Sequence, residues 1–218
     1  METLAEILCS KQNDEMIALN NQYESEYGVT LKSAIIEATK GRIRDLLTSV
    51  VDDQREKPID VDNSKAQEDA RRLLSRHDDE GRHIDQYVLY RLLSTCNKQQ
   101  LIRTFKNYER MCNMDVESAI QKDCEGGERI VYLSLVQCTT NKPRFFAMRL
   151  NEALKTLKAN TNELVRILIS RSEIDLKLIQ QEYYKLFGKD LTEEVASKTD
   201  GPHRSTLTAI VRGNYRGF

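Results

Sequence analysis

The chain has 218 residues, of which 39% are apolar and 31% charged, with 33 lysines and arginines against 34 aspartates and glutamates. That length and apolar content fill a sizeable core, as one domain or a tandem array. The balanced charge excludes a global field aimed at nucleic acid and leaves any attraction to anionic surfaces to local patches.

Apolar residues recur three and four positions apart almost from end to end, strand signals are nearly absent, and only three prolines and nine glycines interrupt the pattern. The periodicity predicts an all-α chain with helices near 2–10, 13–27, 30–38, 42–51, 64–76, 85–95, 98–111, 115–122, 127–138, 143–157, 160–170, 173–187, 190–197 and 202–211. The charged, proline-containing stretch DDQREKPIDVDN (52–63) reads as a linker, and Ser64 with Gln67 is expected to form a capping box at the start of the next helix. No apolar run approaches the ~20 residues needed to span a bilayer, and METLAEILCSKQ lacks the basic stretch and cleavage site of a signal peptide, so a cytoplasmic location is expected. Cys9, Cys96, Cys112, Cys124 and Cys138 contain no CxxC pair, which favours reduced thiols over a disulfide framework or a zinc site.

An internal repeat organises the pattern. ATKGRIRDLLTSVV (38–51), DCEGGERIVYLSLV (123–136) and KTDGPHRSTLTAIV (198–211) align on Gly41, Gly126 and Gly201, which lie 85 and 75 residues apart. Three residues after each glycine stands Arg44, Arg129 or Arg204, expected to serve a repeated helix start or inter-helix ion pair. One apolar stripe follows in each copy: Leu47, Val50, Val51; Tyr132, Leu135, Val136; Leu207, Ile210, Val211. Tyr23, Tyr108 and Tyr183 sit eighteen residues before their glycines and are expected in the core with hydroxyls at its rim.

NKPRFFAMRLNEALK (141–155) followed by LVRILISRSEIDLKLIQQEYYKLFGKDL (164–191) resembles the last repeat of an annexin. LIRTFKNYE and LVQC resemble the third repeat, and LAEILCSKQNDEMIALNNQYESEYGVTLKSAII resembles most of the second. The resemblance covers nearly the whole chain and implies tandem annexin repeats of four to five helices in a curved array. The implied domains are a partial second repeat at 1–51, the linker at 52–63, a third repeat at 64–139 and a fourth at 140–218. Annexins usually have four repeats, so an N-terminally truncated array is expected, with a raw edge that self-associates or takes a protein partner unless residues 1–9 are otherwise covered.

The resemblance also implies calcium-dependent binding of anionic phospholipid. In the family, carbonyl oxygens of a GxGT loop and a carboxylate about forty residues later hold calcium on a convex face. Calcium prefers six to eight hard oxygens, and glycines let successive carbonyls converge. This chain departs from that pattern. In the last copy Thr156 and Lys158 stand at the glycine positions and Lys198 at the acid position; a lysine ammonium about 4 Å from a divalent ion opposes binding by roughly 8 kcal/mol at an effective dielectric near 20. In the first copy the acid position holds Ala38. Only the middle copy retains a candidate cage, from carbonyls of Asp79, Gly81 and His83 and the carboxylate of Asp123; the competing reading of Asp123 is a solvated carboxylate at a helix end.

Cations cluster where ligands are missing: Lys155, Lys158 and Lys198 in the last copy, Lys40 and Arg42 in the first, and Arg82 in the middle one. They suggest calcium-independent, salt-sensitive association with an anionic phospholipid surface. The alternative is a protein-interaction module or non-binding scaffold whose charged loops are simply solvated. DVDNSKAQEDAR (60–71) begins like an EF-hand loop but fails at its glycine and closing glutamate, and His77, His83 and His203 read as surface histidines. No triad, paired-carboxylate or phosphate-loop pattern supports an enzyme.

Overall fold

The computed structural model describes residues 1–52, 60–74, 83–155 and 157–213; for residue 13 and residues 157–161 it describes the backbone alone. The described residues form helices α1 (Glu2–Ser10), α2 (Asn13–Tyr27), α3 (Leu31–Ala38), α4 (Gly41–Val51), α5 (Asn63–Leu73), α6 (Gln86–Thr95), α7 (Lys98–Cys112), α8 (Val116–Asp123), α9 (Gly126–Lys155), α10 (Leu157–Arg171), α11 (Leu176–Phe187), α12 (Leu191–Lys198) and α13 (Gly201–Arg212). The predicted all-α class holds, and most predicted boundaries fall within a residue or two. The expected linker at 52–63 lies, for residues 53–59, outside the described residues.

The repeat noticed in the sequence is a repeat of caps. α2, α7 and α11 each end on a left-handed residue, at Gly28, Asn113 and Gly188. Two residues later Thr30, Asp115 and Asp190 each accept a backbone N–H with their side chains and so open α3, α8 and α12. Gly41, Gly126 and Gly201 then take φ of +61°, +53° and +49° as α4, α9 and α13 begin. A Cβ at any of these three glycines would meet nothing within 4 Å, so the constraint is the backbone angle rather than space. Gly127 obeys the opposite rule: its φ is ordinary, but a Cβ there would lie 2.8 Å from Cδ1 of Ile43 on α4.

At α5 the structure corrects the sequence reading. The N-cap is Asp62, whose Oδ1 accepts from the Lys65 amide at 2.9 Å, and Ser64 already lies inside the helix. Gln100 of α7, buried, holds the same junction through the Asp62 backbone, accepting from its N–H at 3.0 Å and donating to its carbonyl at 2.9 Å.

The chain divides into two compact units, Met1–Thr140 and Asn141–Phe218. The boundary coincides with a kink inside α9 at Asn141 (φ −151°, ψ 91°), where the Asn141 side chain accepts from the Arg144 amide at 3.0 Å and Pro143 occupies the first turn of the second arm. In the first unit α5 packs on α7, α3 on α4, and α4 against both α1 and α6. Ala5 and Leu8 of α1 are buried there, α1 packing on α4, whereas Leu4 and Ile7 stay partly exposed. The apolar stripe is buried as expected: Leu47, Val51, Tyr132, Leu135 and Val136 in this unit are each at most 5% exposed.

In the second unit α12 packs on α13, and α10 on α13. The SRSEIDL string is structural: Arg171, 5% exposed, clamps Asp175 with contacts of 2.8 and 2.7 Å and places its guanidinium 4.9 Å from the Phe146 ring centre. Arg149 pairs below the surface with Glu163. Tyr183 and Tyr108 are fully buried, Tyr183 donating to Asn151 at 3.4 Å, whereas Tyr23 is only partly buried and lies against Tyr27 with ring centres 4.7 Å apart and planes tilted by 42°.

Candidate functional site

The described part of the middle copy's candidate cage, His83 and Asp123, lies between the segment that enters α6 and the end of α8. Leu74 and Ile84 form an isolated antiparallel bridge, and the Asp85 amide donates to the Leu73 carbonyl at 2.8 Å, so residues 73–74 and 84–85 are held side by side. Asp79, Gly81 and Arg82, named from the sequence, lie outside the described residues, as does His77.

What is described is a three-bond knot between the start of α6 and the last residue of α8. His83 Nδ1 stands 2.8 Å from Asp123 Oδ1; because a carboxylate only accepts, the ring nitrogen is the donor. Asp123 Oδ2 accepts from the Ile84 amide at 2.7 Å, and Gln86 Nε2 donates to the Asp123 carbonyl at 2.6 Å. The Asp123 side chain is 7% exposed and that of His83 31%. Asp123 is therefore no solvated helix-end carboxylate, and His83 is no free surface histidine. Both carboxylate oxygens already have donors, which a calcium ion would have to share or displace to use the carboxylate.

The neighbouring Cys124 is buried, and burial first, then the charges of Asp123 and Glu128, pushes its thiol up to about 11, with Arg129 and Arg42 opposing. Tyr132 is pushed up to about 12 by burial and Glu128, again against Arg42. Arg42 is exposed, yet its charge reaches into the start of α9.

The remaining candidates fall at equivalent turns of the other copies. Lys40 is exposed and immediately precedes Gly41, as the N-cap of α4. Lys198 is exposed at the end of α12, in the register that Asp123 holds at the end of α8. Lys155 ends α9, exposed, with Nζ 2.7 Å from Glu152. Lys158 lies in α10 by its backbone, and α10 begins at Leu157, three residues earlier than predicted. Carbonyls in that first turn are committed to intrahelical bonds rather than presented as loop ligands. Among the repeated arginines, Arg204 Nε donates to the Thr199 carbonyl at 2.6 Å, whereas Arg44 pairs with its neighbour Asp45 at 3.3 Å, so the shared position does not impose one contact. Among the described residues no group of three or more histidines, cysteines, aspartates or glutamates is arranged to hold a metal ion, and no helix is long and apolar enough to cross a membrane.

The annexin family model matches three segments of the chain, residues 1–50, 69–135 and 145–210. The chain belongs to the annexin family. It is 35% identical to human annexin A11 over 97% of its own length and 42% of the relative's, and 31% identical to human annexin A13 over 95% and 66%. Among solved structures, annexin III matches with a TM-score of 0.85 and 31% identity, covering 96% of this chain and 65% of that one. Chicken annexin V matches with a TM-score of 0.86 and 27% identity, over 96% and 66%. The chain thus spans less than half of annexin A11. Annexins in general are calcium-dependent phospholipid-binding proteins and are non-enzymatic.

Proposed function

We propose that this annexin-family chain is a cytoplasmic, non-catalytic binder of anionic phospholipid surfaces whose dependence on calcium is weak or lost. The observation that carries this reading is the engagement of both Asp123 oxygens by His83 and the Ile84 amide, at the only acid among three equivalent positions. Ala38 and Lys198 occupy the other two. The three segments matched by the family model are read as part of a second repeat followed by a third and a fourth.

Attraction to lipid then falls to cations at the former calcium turns. Lys40, Arg42, Lys155 and Lys198 are exposed. Each lysine or arginine near an anionic leaflet contributes about 1 kcal/mol, falling off within a Debye length. Co-sedimentation with phosphatidylserine vesicles tests the reading. Binding is expected to be equal in calcium and in chelator, to fall between low and physiological salt, and to be abolished by combining Lys155→Glu, Lys158→Glu and Lys198→Glu. Binding that requires calcium, or that survives the triple substitution, overturns it.

A second reading, a protein-interaction module that binds a partner or itself, is favoured by apolar exposure in the second unit. Ile174 and Leu178 are 60% and 52% exposed along a groove lined also by Leu176, Ala209 and Ile210. Absence of vesicle binding in every condition would select it.

A further inference from the structure

Two thiols far apart in sequence meet inside the first unit. Cys9 Sγ, near the end of α1, lies 2.9 Å from Cys138 Sγ, near the end of the first arm of α9. Cys138 is 3% exposed and Cys9 partly exposed, which makes Cys9 the more accessible residue of the two. A disulfide needs about 2.05 Å, so closure requires the sulfurs to approach by roughly 0.9 Å more.

We propose that Cys9 and Cys138 are an oxidisable pair that closes to a disulfide in response to a hydroperoxide, Cys9 as the attacking and Cys138 as the resolving thiol. In the first step the Cys9 thiolate attacks one peroxide oxygen, the O–O bond breaks, and with one proton the products are a Cys9 sulfenic acid and water from hydrogen peroxide, or an alcohol from an organic hydroperoxide. In the second the Cys138 sulfur attacks the Cys9 sulfur; the S–O bond breaks, and hydroxide leaves and takes the Cys138 proton as water. Two thiols lose two electrons and one hydroperoxide gains them.

The other cysteines lack this arrangement. Cys96 and Cys124 are buried. Cys112 is partly exposed, but its Sγ lies 3.1 Å from the Tyr108 carbonyl and 3.3 Å from that of Met114 rather than against a second thiol. The bond would tie α1 to α9 three residues before the Asn141 kink. It closes a loop of about 130 residues, so the oxidised chain is expected to melt about 5–15 °C higher than the reduced one.

Stoichiometric hydrogen peroxide on the purified chain, followed by alkylation and peptide mapping, tests the proposal. Titratable thiols are expected to fall from five to three, with one Cys9–Cys138 peptide that dithiothreitol cleaves. In Cys138→Ser, Cys9 should persist as a sulfenic acid captured by dimedone; in Cys9→Ser the linked peptide should vanish; Cys112→Ser should behave as the parent chain. Scattered or intermolecular disulfides in the parent chain, or no dimedone adduct at Cys9 in Cys138→Ser, overturn the assignment. A linked peptide without any rise in melting temperature overturns the claim that it forms within the native fold.

Discussion

The His83 ring donates from Nδ1 to Asp123 Oδ1 across 2.8 Å, while the other Asp123 oxygen holds the Ile84 amide. A side chain placed by one helix start therefore occupies the carboxylate that ends another, and the two substitutions at this pair separate structure from ligand chemistry. Asp123→Ala leaves the buried Ile84 amide without its acceptor and is expected to cost about 1–3 kcal/mol in urea melts. His83→Gly removes the imidazole and restores glycine's backbone freedom at this position, and is expected to increase calcium-dependent vesicle binding. No gain in calcium response from His83→Gly would show that neither the imidazole nor the backbone restriction at residue 83 limits the site.

The three repeated glycines predict a uniform backbone penalty. Gly41→Ala, Gly126→Ala and Gly201→Ala each force a Cβ into positive φ with open space around it, so each should lose about 1–2 kcal/mol and Asn should lose less. Equal losses for Asn and Ala in denaturant titrations would show that the cost is not conformational.

At the start of α5 the cap assignment is directly testable. Asp62→Ala should destabilise by about 1 kcal/mol, and Ser64→Ala should fall within about 0.5 kcal/mol of the parent chain. Gln100→Ala, which strips both hydrogen bonds from the Asp62 backbone, should cost about 1–3 kcal/mol. A larger effect at Ser64 than at Asp62 would restore the capping box read from sequence.

Alkali should unfold the protein through its buried tyrosines. Burial, with Glu194 adding, pushes Tyr183 up to about 12; Tyr132 is raised to about 12 by burial and Glu128, and burial raises Tyr108 as well. A raised folded-state value means that this contribution is complete below the unfolded value near 10 and is lost as pH climbs from about 10 toward 12. Tyrosinate absorbance from these residues should therefore appear together with loss of helical circular dichroism. Full tyrosine ionisation with the helices intact would contradict the burial of these rings.

The sequence alone determined the all-α class, the approximate bounds of most helices, and the threefold repeat, because each depends on local chemistry. Apolar spacing sets helix faces, and αL glycines and cap residues recur at fixed offsets; the repeated stripe Leu47, Tyr132, Leu207 is buried as its spacing required. The cap at Asp62 was missed because Ser64 carries the same local signal, and the choice between them was made by Gln100, far along the chain. Likewise Asp123 was visible only as an acid in register. Whether its oxygens were open, solvated or already bonded depended on which loop residue the bridge between Leu74 and Ile84 delivers to it. The meeting of Cys9 and Cys138 has the same origin: no spacing rule links residues that far apart, and only the packing of helices in the first unit brings their sulfurs together. Local geometry is written within a few residues and can be read there, whereas hydrogen-bond partners are chosen by packing among elements that the sequence keeps apart.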